Sequence, residues 1–299
     1  MPRILCAGLI AVDLLFDVAT HPEKGSKNRA TGSRMIGGGG ARNAAVAIAR
    51  LGGQASLAGA IGGDALGAFI QETLSDHGVA SDYLRILPGV RTANSAILIA
   101  PDGDRTIINH REDMLFDGGV TLPDPFPFDA VLTDTRWPQG AADLMWAARR
   151  AGKPAVMDAE APVLHAREAL ETASHVIFSE QGLRDYVGAC DAPALTEAAK
   201  RLAANTPGVW VAVTRGPLPV LCHDGQTLGE VPGFPVRALD TLGAGDVWHG
   251  AFALALARGM REPQAVRWAN AAGALKVSRT PDQPPLPDAQ EVEALLAKP

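Results

Sequence analysis

The sequence predicts an α/β fold with a mainly parallel central sheet, and three observations carry that prediction. Short apolar runs alternate with longer segments of helical period, the pattern of strand–helix units. The short runs are rich in Val, Ile and Leu without polar alternation, as strands covered on both faces are. The helical segments mostly stop at a Gly or an Asn, residues that accept the left-handed conformation at a helix end.

Along the chain, the apolar run 3–10 opens the sheet. A helix over 41–51 stops at Gly52-Gly53 and the run 54–60 follows as the next strand. Helix 65–77 ends before Gly78, and after a gap come strand 129–133, helix 141–151 before Gly152, and strands 154–158 and 175–178. Helix 192–205 ends on Asn205 and leads into strand 209–214. Three helices close the chain, over 244–258 with Gly259 as its stop, 263–278 and 288–297.

Two stretches break the alternation. Residues 14–36 and 83–110 read as β segments joined by Gly and Pro turns, with 95–100, the turn Pro101-Asp102-Gly103-Asp104 and 105–109 forming a hairpin. Strands without crossover helices fit poorly in a parallel sheet, so both stretches are assigned to a small accessory β layer inserted in a single domain, residues 1–299. The Pro-rich stretch 281–287 is short and lies between two helices.

Charge narrows the function classes. With 27 Lys+Arg against 33 Asp+Glu the formal net charge is -6, which argues against a nucleic-acid or anionic-membrane binder. No run of 18 apolar residues and no secretory signal is seen, so a cytoplasmic protein is expected. Cys6, Cys190 and Cys222 are odd in number and far apart, which suits reduced thiols. The histidines form no HExxH and no Cys/His cluster, so no protein-bound transition metal is expected.

Three glycine-rich places could cradle phosphate: 37–43, 62–64 and 240–246. None reads as G-x-G-x-x-G after a strand or as G-x-x-x-x-G-K-[ST], which disfavours a Rossmann dehydrogenase and a P-loop NTPase. In the third, Asp240-Thr241-Leu242-Gly243-Ala244-Gly245-Asp246, the glycines open a helix, whose free N–H groups and positive end favour an anion. Two readings of Asp246 stand side by side. It is a capping carboxylate, or it accepts a proton from an attacking hydroxyl while the N–H groups of Gly243, Ala244 and Gly245 hold phosphoryl charge.

The 240–246 run resembles the C-terminal motif of the ribokinase-like (PfkB) carbohydrate kinases. Gly38-Gly39-Gly40-Ala41-Arg42-Asn43 resembles their N-terminal Gly-Gly motif, in the right order and about 200 residues upstream. The resemblance spans the chain and implies a three-layer α/β/α ribokinase-like fold with a small β-sheet lid that pairs across a homodimer. It implies ATP and Mg2+ as cofactors and makes Asp246 the catalytic base. It further implies that Asp13, Gly39 and Asn43 bind the sugar, that Thr214 and Gly216 of Thr214-Arg215-Gly216 bind nucleotide, and that Asn270 lies at the adenine pocket. Two places depart from the family. Ser179-Glu180-Gln181-Gly182 stands where Asn-x-x-Glu is usual, so either Glu180 positions Mg2+ or the ion is held mainly by the nucleotide and water. Pro281-Asp282 replaces Gly-Ala in the monovalent-cation loop, which leaves that cation open.

Within the family, the stretches around Asp13, Lys27, 105–109, Asp134 with Arg136-Trp137, 178–183, and Gly245-Asp246-Val247 with His249-Gly250 are most similar to 6-deoxy-6-sulfofructose kinases. That similarity implies Lys27, Asn109 and Arg136 as a grip on an anionic group, with the C1 hydroxyl of the ketose presented to Asp246. Ribose, fructose, 2-keto-3-deoxygluconate and a nucleoside are the alternative acceptors. A catalytically silent sugar or nucleotide sensor is the reading of another class, against which the intact Asp246 counts.

Overall fold

A computed structural model describes residues 1–101, 103–280 and 283–298. In chain order the strands and helices are β1 (Arg3–Ala7), β2 (Ala11–Asp17), β3 (Gly32–Gly38), α1 (Gly40–Arg50), β4 (Gln54–Gly62), α2 (Ala65–Asp76), β5 (Ala80–Leu87), β6 (Ala93–Ile99), β7 (Arg105–His110), β8 (Ala130–Thr133), α3 (Pro138–Arg150) and β9 (Ala155–Ala159). There follow α4 (Arg167–Thr172), β10 (His175–Ser179), α5 (Glu180–Val187), α6 (Ala192–Ala203), β11 (Trp210–Arg215), β12 (Leu218–His223), β13 (Leu228–Val231), α7 (Ala244–Ala257), α8 (Glu262–Val277) and α9 (Ala289–Leu296).

The large sheet runs β13-β12-β11-β10-β9-β8-β1-β4-β5, and the seven strands from β11 to β5 are parallel. Two apolar layers cover its faces. One holds Val46 and Ile48 of α1 with Leu51 just beyond it, Ile70 and Leu74 of α2, Phe252 and Leu254 of α7, Trp268 of α8 and Val292 of α9. The other holds Leu144 and Met145 of α3, Leu170 of α4, Leu183 of α5 and Leu195 and Leu202 of α6. A three-layer α/β/α arrangement follows from strands that are buried on both faces. The small sheet, β3-β2-β6-β7, contains the expected hairpin as β6 against β7. Asp102 of its turn and Pro281-Asp282 lie outside the described residues.

The accessory stretches divide differently from the sequence expectation. Ala80–Leu87 pairs in parallel with β4 in the large sheet, not in the small one. It follows α2 and completes an ordinary strand–helix–strand unit, but as an edge strand it is covered on one side only, and its half-exposed sequence reads as accessory. At the opposite edge β12 and β13 run antiparallel, an addition that the search for βα units passes over. Among the described residues no helix is long and apolar enough to cross a membrane, and Cys6, Cys190 and Cys222 are free thiols.

Candidate active site

The parallel strands end together, and the chain leaving β1, β8, β9 and β10 presents Gly8, Asp134, Glu160 and Glu180 in one region, where open α/β sheets bind ligands. Gly39 turns the chain from β3 into α1 with φ 89°, and a side chain there would press on the Leu9 carbonyl. Only glycine meets both conditions. Gly243 makes the corresponding left-handed turn, φ 70°, ahead of α7.

These two glycine turns meet. Asn43 Nδ2 donates to Asp246 Oδ2 at 2.8 Å although 203 residues separate the pair. The other carboxylate oxygen is turned to the head of α1, where a Cβ on Gly40 would lie 3.5 Å from Asp246 Oδ1 and 3.6 Å from Asp134 Oδ2. Ala244 N–H closes the turn on Thr241 O at a long 3.2 Å, so of the three N–H groups named from sequence, those of Gly243 and Gly245 have no protein acceptor among the described residues. The α7 terminus is thus both an anion cradle and the seat of a carboxylate.

Asp246 has acidic company. Burial pushes its pKa up to about 6; the Asn43 bond pulls it down, and the charges of Asp158 and Asp134 push it up. Asp134 accepts the N–H of Leu9 and of Arg136, each at 2.8 Å, and burial raises its carboxyl against the pull of those bonds and of the Arg136 and Arg111 charges. Asp158, on β9, is pushed well above the carboxylate range by burial and then by Asp134 and Glu160. His249, one turn beyond Gly245 on α7, donates Nδ1–H to Gly245 O at 2.8 Å and lies 3.5 Å from Asp158 Oδ2. Burial lowers its pKa, which favours the neutral ring.

The acceptor side is read from register. Asp13 of β2 pairs with Ser95 of β6, and Ser95 with Asn109 of β7, so the three share one face of the small sheet. Burial raises the Asp13 carboxyl above its usual range, against the Ser95 hydroxyl bond and the Arg42 charge. A cavity of about 330 Å³ is lined by Asp13, Asn43 and Gly243 and reaches Asp240 and Lys276. Arg136 is half-buried beside Asp134. Lys27 is exposed in the segment between β2 and β3.

On the opposite side Thr214 and Gly216 sit at the β11–β12 turn, Gly216 with φ 57° and Thr214 Oγ1 donating to Phe178 O at 3.4 Å. Glu180 begins α5, its Oε1 3.9 Å from Arg184 and 4.0 Å from Cys190 Sγ, whereas the carboxylates whose charges act on Asp246 are Asp158 and Asp134. The Asn270 amide is engaged within the protein. It accepts Trp248 Nε1–H at 2.7 Å and donates to Pro232 O at 3.0 Å, tying α7 to α8.

Sequence reasoning missed Asp158, Arg111 and His249 as site members. Asp158 is visible only as the last carboxylate of an apolar strand, and Arg111 as the first residue beyond β7; neither has a spacing signal. His249 lies one turn after Gly245, which is a signal once helix 244–258 is drawn.

Similarity to known proteins is extensive. The profile of the pfkB family carbohydrate kinases matches residues 1–289. A ribokinase of Bacillus subtilis strain 168 is 28% identical over 301 residues, covering 99% of this chain and 100% of the relative. A candidate ribokinase of Agrobacterium tumefaciens, solved by crystallography, superposes with TM-score 0.91 at 35% identity, covering 99% of this chain and 97% of that one. The ribokinase of Arabidopsis thaliana complexed with ribose and ATP superposes with TM-score 0.82 at 23% identity, covering 100% and 99%, a likeness of fold.

Proposed function

This chain belongs to the pfkB family of carbohydrate kinases, and on that premise we propose that Asp246 is the base that takes the proton from a sugar hydroxyl as the hydroxyl attacks the γ-phosphate of ATP. As a member of that family it is an ATP-dependent sugar kinase. The observation that carries the mechanism is the meeting of the two glycine turns at the Asn43–Asp246 bond. Asn43 holds Oδ2 and leaves Oδ1 to receive the proton. With a pKa of about 6, the carboxylate is ionised at neutral pH yet basic enough to assist the attack. The free N–H groups of Gly243 and Gly245 stand where charge on the transferred phosphoryl group is stabilised.

Mg2+ fits the site's donor chemistry. Buried carboxylates crowd around Asp246, and hard oxygen donors suit this ion. Among the described residues no group of three or more metal-ligating side chains forms a cage, so phosphate and water supply most ligands and Asp158, Glu160 or Glu180 the remainder. When bound, the ion neutralises phosphate charge. Thr214 and Gly216 bound the nucleotide side.

The small sheet acts as the lid over the acceptor, within one kinase domain. Asp13 and Asn109 face the sugar from one side of it, with Gly39 beneath. The proposed acceptor is a ketose phosphorylated on its primary C1 hydroxyl and bearing an anion at the far end, with 6-deoxy-6-sulfofructose as the leading identity. Arg136 and Arg111, whose charges act on Asp134, are the cations proposed to hold that anion. Lys27 joins the grip only if the 18–31 segment folds over the sugar. The second reading is ribose, favoured by the full-length similarity to a ribokinase.

The test is ATP-dependent ADP release over sulfofructose, fructose, ribose, 2-keto-3-deoxygluconate and adenosine, for the wild type and Arg136→Ala. A sulfofructose preference that Arg136→Ala lowers by roughly tenfold to a hundredfold, without equal loss on neutral sugars, supports the anionic acceptor. Wild-type preference for ribose overturns it.

A further inference from the structure

Asp240 opens the glycine-rich turn and is held from three directions. Lys276, on α8 with its side chain only 8% exposed, donates Nζ–H to Asp240 O at 3.0 Å and to Oδ2 at 2.9 Å. Arg105, the first residue of β7, donates to Oδ1 at 3.0 Å, and Leu242 N–H donates to the same oxygen at 2.9 Å. The N–H groups of Leu239 and Asp240 both donate to Val277 O at the end of α8, at 2.7 and 3.2 Å. One carboxylate oxygen therefore faces a fixed helix, and the other links the small sheet to the turn.

Arg105 and Asn109 share a face of β7, because residues four apart in a strand point the same way. The strand that carries an acceptor-side residue thus reaches, through its other end, the residue that sets the start of the transfer turn. The Arg105 side chain is 22% exposed and that of Asp240 58%, so the pair is part-solvated and its contribution is to geometry more than to charge energy.

We propose that Asp240 couples the small sheet to the phosphoryl-transfer turn. Arg105 docks the sheet on Asp240, Lys276 anchors Asp240 to α8, and together they hold the Gly243 and Gly245 N–H groups in the geometry that transfer requires. Arg105 and Lys276 are positioning residues, and their role rests on the reading of 243–246 as the transfer site. Small displacements of such a site are costly in rate.

The experiment is a double-mutant cycle in the whole enzyme with Arg105→Gln and Asp240→Asn, with Arg105→Lys, Lys276→Ala and Asp246→Asn alongside and a thermal melt of each. Each member of the cycle is expected to lower kcat roughly tenfold to a hundredfold with KM for ATP little changed, and the double variant to be no worse than the weaker single one. Arg105→Lys recovers part of the loss, as does methylammonium added to Lys276→Ala. Unchanged kcat in Arg105→Gln, or losses that multiply in the double variant, overturns the coupling. If Asp240→Asn fails to fold, Arg105→Gln against Arg105→Lys decides. Turnover by Asp246→Asn overturns the transfer-site reading, whereas its silence beside a fully active Arg105→Gln overturns the coupling alone.

Discussion

A carboxyl group with a pKa of about 6 in a native protein titrates in two measurable ways. Asp246 must be ionised to act as a base, so kcat is expected to rise with pH through about 6 and level off above it. Its pKa stands above the ordinary 3.8, so the folded state binds this proton more tightly than the unfolded chain does. That stabilisation is complete below 3.8 and lost as pH rises through about 6. Asp246→Asn, which removes the cost of the enclosed charge, is expected to be more stable than the wild type by roughly 1–2 kcal/mol at pH 8 and by less at pH 5, read by chemical denaturation. At this scale Asp246 and Asn43 were legible because each sits in a glycine-rich run at a helix start. Asp158 was not, because Asp134 comes beside it only once β8 and β9 pair. The bonds of Asn270 to Trp248 and to Pro232 carry no sequence signal, because they depend on how α7, α8 and the chain after β13 pack.

Among elements, the passage from β3 to α1 is the most constrained piece of the site. Gly39→Ala puts a methyl group against the Leu9 carbonyl and a side chain in the left-handed region. It is expected to destabilise the fold by about 1–3 kcal/mol and to raise KM for the sugar more than KM for ATP, measured by denaturation and by initial rates. Asp64 shows the ordinary case of an element set locally, since it caps α2 by accepting Gly67 N–H at 2.8 Å. The central strands and long helices were legible from apolar runs and glycine stops. The edge strands β5 and β13 were not, because an edge is half-solvated and loses the unbroken apolar signature, and β12 between β13 and β11 follows a turn rather than a helix.

For the whole molecule, the face of the small sheet away from Asp13 is the notable surface. Met35, Leu14, Ala96 and Ile108 lie in register across all four strands, with Met35 42% and Ile108 66% exposed. A second copy set against this row would bury it, which is the homodimer proposed for the enzyme. Ile108→Lys is expected to yield monomers in sedimentation or light scattering; a wild type that is monomeric at the same concentrations rules this pairing out. The accessory β layer was foreseen from its missing crossover helices, but the tie from Arg105 to Asp240 crosses 135 residues and carries no local signal.

The measurement that bears most directly on the account is ADP release by Asp246→Asn and wild type across pH 5 to 8, with nucleotide binding measured on both. Turnover in the wild type that rises through about pH 6, and an Asn variant that binds nucleotide but loses roughly a hundredfold or more in kcat, is the expected result. An Asn variant with wild-type kcat would contradict the assignment of Asp246 as the base.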